Sequence, residues 1–342
     1  MKQRIEYIDL AKGICILLVV IDHTYLRHFF GNKPYPLYSA FIQMRMPLYF
    51  ILSGLFFKDY AGGIAEFVLR KVNRILIPDY FFYFTLYGIT GVVLSLTGYE
   101  MGRVCSAQWF LICLFEMNVV FVLLYTLTKR LFSRQLVRDV ALAILVFCVG
   151  TIGYHVGMLP WYFGSVMTCL PFLWIGYLLN RRISFFQWNI KWWVALPLGM
   201  ALIYGLNTIR AHEFFYRNFF DVPLPQVYAT GTIGTLGVLL ISRVLKHLPV
   251  ISYIGRYSII VLIMHQFWLS ALTPLIRLMH LPTPWSGFVI LASCIALCMG
   301  CCWVYIRYIP WFCAQKDLIP LRWLDKISCM LRRGHQNPPS EQ

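Results

Sequence analysis

The stretch YIDLAKGICILLVVIDHTYL, residues 7–26, begins a series of apolar runs that decides the fold. Its 20 residues are enough for a helix to cross the hydrocarbon core of a bilayer, which is about 30 Å thick. Similar runs recur along the chain, so the sequence predicts an all-α, polytopic integral membrane protein with about ten transmembrane helices. The predicted spans lie near residues 8–30, 38–57, 78–97, 107–127, 139–158, 161–179, 192–209, 227–242, 256–276 and 285–306.

The composition excludes a soluble globular protein. Of the 342 residues, 59% are hydrophobic and 13% are charged, whereas soluble domains have roughly 45–50% apolar and about 25% charged residues. The same runs argue against a transmembrane β-barrel, because barrel strands alternate polar and apolar residues and these runs are continuously apolar. No spacing of cysteine and histidine matches a zinc motif, so we expect no metal site.

The distribution of charge predicts the orientation of the chain. Lys and Arg number 30 and Asp and Glu 14, which gives a formal net charge of +16. When the N-terminus is placed in the cytoplasm, 23 of the 30 basic residues fall on the cytoplasmic side, as the positive-inside rule expects. We therefore predict that both termini are cytoplasmic, and the basic charge needs no nucleic-acid partner.

Two segments outside the predicted spans are of interest. We divide the chain into a membrane domain, residues 1–310, and a tail, residues 311–342, whose mixture of aromatic and basic residues predicts a cytoplasmic interfacial segment that is partly disordered. On the outer side, the loop at 210–226 is the longest and is a candidate cover for a site. No internal repeat is visible, which weakens the hypothesis of a transporter built from duplicated halves.

Ionisable residues inside membrane spans are costly, so each is a candidate functional residue. In the first span, Asp9, Lys12 and His23 fall on one helix face, since Lys12 and His23 are 11 residues apart and each residue turns the helix by about 100°. His23 then lies about 16 Å further along the axis than Lys12, toward the outer side. Asp22 either hydrogen-bonds the imidazole or faces the outer interface. As alternatives, the lysine can snorkel to the inner surface and the histidine can be structural.

The second predicted span runs back toward the cytoplasm and continues the polar track. Arg45 falls at about the depth of His23. Ser53 and Gly54 fall at about the depth of Lys12. Matching depths on consecutive helices predict a shared polar cavity. The alternative interpretation of Ser53 and Gly54 is the packing of small residues between helices.

A basic cluster follows the second span. Arg70, Lys71 and Arg74 lie just before Pro78 and the third span. One interpretation is an orientation signal that contacts lipid headgroups. The other is a phosphate-binding site at the cytoplasmic mouth, where an arginine can grip a phosphate through two hydrogen bonds.

Two later spans each place one ionisable residue near the middle of the membrane. Glu116 needs a cation, a hydrogen-bond partner or a proton at that depth. His265 is either a buried structural histidine or a functional group. Both are therefore candidate residues of the polar cavity.

Taken in order along residues 4–265, these elements resemble acyltransferase family 3, the integral-membrane O-acyltransferases, and most closely the fucose 4-O-acetylase-like branch. The stretches that carry the resemblance are RIEYIDLAKGICILLVVIDH, MPLYFILSGLFFK, RKVNRILIP, WFLICLF and GRYSIIVLIMH. The family's pattern carries over to Lys12, His23, Ser53, Gly54, Arg70, Arg74, Trp109 and His265. Two positions depart from the family's pattern. The branch often has a histidine before the Met-Pro pair of the second span, where this chain reads Gln43-Met44-Arg45-Met46-Pro47. The glycine that is common before the histidine of the first span is Asp22 here.

The resemblance implies an enzyme that transfers an acyl group, most often acetyl, from cytoplasmic acyl-CoA to a hydroxyl of a glycan. The donor is then acetyl-CoA or a related acyl-CoA, and the acceptor is a glycan, a lipid-linked saccharide or another surface polysaccharide precursor. The implied location is the bacterial cytoplasmic membrane, where membrane lipids surround the chain.

Within that implied reaction, His23 is the predicted base that deprotonates the acceptor hydroxyl. Asp22 or Glu116 orients its imidazole, and Arg45 stabilises charge on the thioester oxygen. The predicted residues for the coenzyme A phosphates are Lys12, Arg70, Lys71 and Arg74. The remaining predicted residues of the substrate cavity are Asp9, Ser53, Trp109 and His265.

Other mechanisms and functions stay open at the level of the sequence. A covalent acyl-histidine intermediate is a variant of the same chemistry. The polar stripe of the first span also suits a transporter of a glycan, a lipid-linked sugar or an organic anion. A structural partner in a polysaccharide-assembly complex is the third hypothesis, and it predicts that the stripe is dispensable.

Overall fold

The protein folds into a bundle of α-helices. The computed structural model describes residues 5–24, 37–96, 108–209 and 213–323. The end of the first predicted span, residues 25–30, the start of the outer loop, residues 210–212, and the tail after residue 323 lie outside these ranges. The α-helices are α1 (Glu6–His23), α2 (Tyr38–Leu55), α3 (Gly63–Lys71), α4 (Ile77–Leu96), α5 (Gln108–Leu131), α6 (Gln135–Val156), α7 (Phe163–Arg181), α8 (Trp192–Asn207), α9 (Leu224–Leu245), α10 (Pro249–Arg256), α11 (Ser258–Leu278) and α12 (Thr283–Tyr308).

Each of the ten predicted spans coincides with one long helix. The span predicted as short, 227–242, is a helix of 22 residues, because α9 continues by about one turn at each end. Two short helices, α3 and α10, lie in loops for which the sequence predicted no structure. A π-helical turn, Val72–Leu76, joins α3 to α4, and α4 bends at Gly88, where φ is 67°.

The helices divide into a central and a peripheral set. α1 packs against α2, α9, α10 and α11, and α2 also packs against α7 and α9. In an apolar stretch of 18 residues, 67% of the residues of α7 and 61% of those of α9 are buried within the protein, whereas the shares are 28% for α6 and 22% for α12. α1, with its polar stripe, therefore belongs to the central set.

Glycine residues allow the closest approaches between central helices. A Cβ atom on Gly54 of α2 would collide with the backbone carbonyl of Leu173 in α7. A Cβ atom on Gly176 of α7 would collide with the carbonyl of Ile51 in α2. The contact is reciprocal, which supports the helix-packing interpretation of Gly54.

Among the described helices, six are long and apolar enough to cross a membrane: α5, α6, α7, α9, α11 and α12. Large apolar side chains on their outer faces are exposed, among them Leu136 and Leu278 at 69% and 74%. Such a surface suits lipid and not water. The chain is therefore a multi-pass membrane protein.

The described part of the tail packs against the bundle. Asn73 in the π-helical turn donates a hydrogen bond to the carbonyl oxygen of Ile319 at 3.0 Å and accepts one from its N–H at 2.9 Å. The rings of Phe81 and Phe312 stack with their centroids 3.9 Å apart. Residues 310–323 thus cover the turn between α3 and α4.

Candidate functional site

The polar groups of α1 and α2 meet at two levels of the bundle. Following the predicted orientation, we call the end of α1 near His23 the outer end and the end near Lys12 the inner end. At the outer end, Asp22 of α1 forms an ion pair with Arg45 of α2 at 2.5 Å. At the inner end, the Lys12 ammonium lies 5.7 Å from the ring centre of Phe56, which directly follows α2. This is the antiparallel register that the matching depths predict.

Two histidines face each other at the outer end. The ring centres of His23 and His265 are 5.1 Å apart, and the rings are inclined by 72°. α1 and α11 bring them together, although 242 positions separate them in the sequence. His265 is fully buried, and its Nε2 has no hydrogen-bond partner among the described residues.

Backbone carbonyls determine which nitrogen of each ring carries the proton. Nδ1 of His23 donates to the carbonyl oxygen of Val19 at 2.7 Å, and Nδ1 of His265 donates to that of Leu262 at 2.6 Å. A carbonyl oxygen only accepts hydrogen bonds, so Nδ1 carries the proton in both neutral rings. The Nε2 lone pair of His23 is therefore available to accept a proton.

Charged groups surround His23 on one side. Asp22 and Arg45 both lie within electrostatic range of its imidazole. Their side chains are 22% and 18% exposed, so their ion pair is largely shielded from solvent. Nearer the inner end, the Cys15 thiol of α1 donates to the carbonyl oxygen of Arg45 at 2.7 Å and so links the two helices.

At the inner end, Lys12 lies within electrostatic range of Lys71, which is the last residue of α3. Burial and the neighbouring Lys12 lower the pKa of Lys71 to about 8. No carboxylate among the described residues forms an ion pair with Lys71. Two close cations in a half-buried position favour an anionic ligand.

The other two basic residues of the predicted cluster have acidic partners in the protein. Arg70 pairs with Glu66 at 2.6 Å and lies over the ring of Tyr60, 4.6 Å from its centre. Its hydrogen bonds to Glu66 hold the pKa of that carboxyl below its usual range. Arg74 pairs with Asp317 of the tail at 3.2 Å. The structure therefore separates Arg70 and Arg74 from Lys71.

Several predicted cavity residues contact other helices. Ser53 accepts a hydrogen bond from the Asn118 amide of α5 at 3.1 Å, so it joins α2 to α5. Glu116 has one carboxylate oxygen buried without a hydrogen-bond partner in the described part of the chain, and it lies in electrostatic range of Cys113. The structure thus places Asp22, and not Glu116, beside His23. Asp9 lies one turn before Lys12 on the same half-exposed face.

The outer loop forms a small hairpin over the bundle. Strand β1 (Glu213–Phe214) pairs with β2 (Phe219–Phe220) in antiparallel register. The Asn218 amide donates to the carbonyl oxygens of Gly153 and Gly157 in and after α6, at 2.7 and 2.8 Å. The Ser165 hydroxyl of α7 donates to the carbonyl oxygen of Phe215 at 2.5 Å. These bonds fix the hairpin to α6 and α7.

An aromatic cluster lies at the same end. The ring of Trp109, at the start of α5, is 6.2 Å from that of Tyr162 and 6.3 Å from that of Tyr216 in the hairpin. The predicted cavity residue Trp109 therefore contacts the loop that the sequence indicated as a cover.

One ionisable residue of the hairpin, Glu213, is not among the site residues predicted from the sequence. Glu213 is 3% exposed, and neither of its carboxylate oxygens has a hydrogen-bond partner among the described residues. Burial and the charge of Asp221 raise its pKa to about 8, against an opposing effect of Arg45. The sequence does carry a signal for Glu213, since it is the single carboxylate among the aromatic residues of EFFYRNFF, residues 213–220.

The structure contains no candidate metal centre in its described ranges. Within residues 5–24, 37–96, 108–209 and 213–323, no group of three or more His, Cys, Asp or Glu side chains is arranged to hold a metal ion. Among the site residues predicted from the sequence, the structure brings together the histidine pair, the Asp22–Arg45 pair and the lysines Lys12 and Lys71.

These observations define a multi-pass helical membrane protein with a pair of histidines at one end of a central helix and two neighbouring lysines at the other. The family model for acyltransferase family 3, described as an acyltransferase domain, matches residues 5–307. The chain belongs to this family and is a membrane acyltransferase, which confirms the resemblance to the family as a whole; the assignment to the fucose 4-O-acetylase-like branch stays a prediction. No curated protein and no solved structure gives a match.

Proposed function

We propose that this acyltransferase moves an acetyl or related acyl group from cytoplasmic acyl-CoA to a hydroxyl of a glycan or a surface polysaccharide precursor. Family membership supports acyl transfer. The arrangement of His23 supports the hydroxyl as the acceptor, because a neutral imidazole whose Nε2 is unprotonated is suited to take a proton from an alcohol. The hydrogen bond that keeps the proton on Nδ1 of His23, beside His265, is the observation that carries the proposal.

The proposed transfer is a single displacement. Nε2 of His23 takes the proton of the acceptor hydroxyl while the hydroxyl oxygen attacks the carbonyl carbon of the thioester. Arg45 lies beside His23 and stabilises the negative charge that develops on the carbonyl oxygen. The C–S bond then breaks, and the thiolate of coenzyme A takes the proton from His23. The products are an ester and free coenzyme A.

The two ends of α1 fit the two ends of the donor. Coenzyme A carries its phosphates at one end and its thioester at the tip of an extended arm. Lys12 and Lys71 supply positive charge about 16 Å along the helix axis from His23. The phosphates therefore bind at the inner end while the thioester reaches the histidine pair. Arg70 and Arg74 contribute only if their protein partners release them.

The location and topology follow from the same proposal. The chain crosses the bacterial cytoplasmic membrane ten times with both termini in the cytoplasm, and the acceptor approaches from the outer side. The fucose 4-O-acetylase-like branch, indicated by the sequence, makes a deoxyhexose hydroxyl a candidate acceptor.

The test is acyl transfer by the purified protein in lipid nanodiscs. The protein is incubated with labelled acetyl-CoA and a panel of glycosides that includes a methyl fucoside, and the products are analysed for an alkali-labile ester and free thiol. We expect ester formation by the wild-type protein. His23→Ala lowers its rate by about 10²- to 10⁴-fold, the usual contribution of a general base.

The matched control is His247→Ala, which removes an exposed histidine from the loop between α9 and α10. It should transfer acetyl at the wild-type rate. Retained activity in His23→Ala would refute the role of this residue. Intact acetyl-CoA in every wild-type reaction, together with uptake of a glycan into proteoliposomes, would favour the transporter hypothesis instead.

A further inference from the structure

Glu213 of the outer hairpin is a buried carboxyl group that the transfer mechanism does not use. Its side chain is 3% exposed, and both carboxylate oxygens lack a hydrogen-bond partner in the described chain. A buried carboxylate without a partner is costly, so such a group stays neutral until a partner arrives. A buried carboxyl group without a hydrogen-bond partner is therefore a candidate contact for a bound molecule.

The position of Glu213 is built by the fold. Glu213 lies opposite Phe220 in the hairpin, and the hydrogen bonds from Asn218 and Ser165 fix the hairpin to α6 and α7. The backbone that carries the Glu213 side chain is therefore held in place by these hydrogen bonds.

The charges around Glu213 come from three elements. Asp221 lies on the hairpin itself, Arg45 lies on α2 and the Cys169 thiol lies on α7. Arg45 is already paired with Asp22 at 2.5 Å. Because burial and Asp221 together raise the pKa of Glu213 to about 8, the carboxyl group is mostly neutral at pH 7.

A neutral carboxylic acid has one O–H donor and one free carbonyl acceptor. A sugar hydroxyl also donates one hydrogen bond and accepts others, so the two groups are complementary. The aromatic rings of Trp109, Tyr162 and Tyr216 lie at the same end, and Tyr216 belongs to the same hairpin. Aromatic side chains with a few fixed polar groups are typical of sites for small organic ligands.

We propose that neutral Glu213 binds a hydroxyl of the saccharide acceptor beside Arg45, at the outer end of the site. This inference rests on the proposed acyl transfer to a glycan, and it names the residue that holds the acceptor. Glu213 is a substrate-binding residue in this proposal, and His23 remains the base.

The first test measures the acceptor KM with saturating acetyl-CoA, using the glycoside of the panel that the wild-type protein acetylates fastest. Glu213→Ala raises this KM by about tenfold or more, as expected for a lost buried hydrogen bond. The conservative Glu213→Gln recovers most of the lost affinity, because an amide also has one donor and one acceptor group available. An unchanged KM in Glu213→Ala overturns the proposal.

The second test is the pH dependence of the same KM between about pH 6 and pH 10. For the wild type, the acceptor KM rises as the pH passes about 8, because the ionised carboxylate has lost its O–H donor. Glu213→Gln does not titrate and lacks this rise. Asp221→Asn is the matched variant: it removes a like charge, so the rise moves to lower pH. An alkaline rise that persists in Glu213→Gln assigns the titration to another group and refutes the proposal.

A spectroscopic readout separates this inference from the proposed function. Difference infrared spectra of wild type and Glu213→Gln should show a protonated carboxyl band at neutral pH that disappears above about pH 9. Absence of the band overturns neutral Glu213, even where the wild type acetylates the glycoside. A wild-type protein that shows the band and acetylates no glycoside overturns the proposed function and the acceptor role with it.

Discussion

At the scale of single residues, Lys71 is a group whose charge changes within about one pH unit of neutrality. Its pKa is lowered to about 8 by burial and by Lys12, so the ammonium is mostly charged at pH 7 and mostly neutral at pH 9. A bound phosphate favours the charged form. Affinity for an anionic donor is therefore highest below pH 8 and falls as the pH rises through that value.

We predict that the KM for acetyl-CoA rises above about pH 8 in the wild type, while Lys71→Arg removes this rise because a guanidinium stays charged. Lys71→Met should raise the donor KM at pH 7 by about tenfold or more, since hydrogen bonds to charged groups contribute about 1.5–3 kcal/mol. Initial rates at varied acetyl-CoA and fixed glycoside measure both effects.

Lys191→Met, which changes an exposed lysine at the start of α8, serves as the control and should leave the donor KM at its wild-type value. A donor KM in Lys71→Met equal to that of the control would contradict phosphate binding at the inner end.

The sequence predicted contacts between neighbouring elements better than contacts between distant ones. Asp22 and Arg45 were placed at one depth because α1 and α2 are consecutive and antiparallel, and they do form an ion pair. The partner of His23 was not predictable in this way. Which later helix packs against α1 is decided by tertiary packing, and His265 arrives on α11.

Local helix geometry explains why the predicted basic cluster is divided. Successive side chains of a helix point about 100° apart, so Arg70 and Lys71 lie on different faces of α3. The π-helical turn that starts at Val72 changes the register again before Arg74. The pair Glu66–Arg70 was readable from its i, i+4 spacing, whereas the pairing of Arg74 with the tail was not.

At the scale of elements, the contact between α2 and α7 sets the position of Arg45. Gly54 and Gly176 bring the two backbones together, and the atoms that a Cβ would meet are carbonyl groups. Carbonyl groups of packed helices cannot move aside as a flexible side chain can. Any residue larger than glycine therefore separates the helices at this level and shifts α2.

We predict that Gly54→Ala and Gly176→Ala each lower the stability by about 1–3 kcal/mol, the usual cost of overpacking. The gain in helix propensity, about 1 kcal/mol, opposes this cost in part. Gly205→Ala in α8 is the matched control, because no atom lies within 4 Å of its added Cβ. It should be neutral or stabilising. Thermal unfolding in detergent, followed by tryptophan fluorescence, measures the differences, and equal midpoints for all three variants would contradict the packing argument.

At the scale of the whole molecule, the reaction requires two sides. Under the proposed function the acyl-CoA is cytoplasmic, so the proposal requires that the lysines of the inner end face the cytoplasm and that the hairpin faces outward. Six described helices are long and apolar enough to cross a membrane, and the predicted count of ten also requires α1, α2, α4 and α8 to cross it. α1 has four charged residues, of which Glu6 is exposed and Asp9, Lys12 and Asp22 are half-buried among the neighbouring helices.

The helix α8 is the critical span, because it alone separates the loop at 182–191 from the hairpin. Its 16 residues extend about 24 Å, less than the hydrocarbon thickness of about 30 Å. Trp192 and Trp193 at its start are 68% and 56% exposed, and Lys191 precedes them. Tryptophan and lysine at a helix end anchor a short span at the interface.

We predict that α8 crosses the membrane. Alkaline phosphatase, which is active only outside the cytoplasm, should be inactive when fused after Gln187 and active when fused after Asp221, and green fluorescent protein should give the opposite pattern. A fusion at the C-terminus is the control, and it should behave like the one after Gln187. Inactive alkaline phosphatase and fluorescent green fluorescent protein at both fusion points would place the hairpin in the cytoplasm. Glu213 and the aromatic cluster would then face the same compartment as the acyl-CoA, and the acceptor would have to enter from that side.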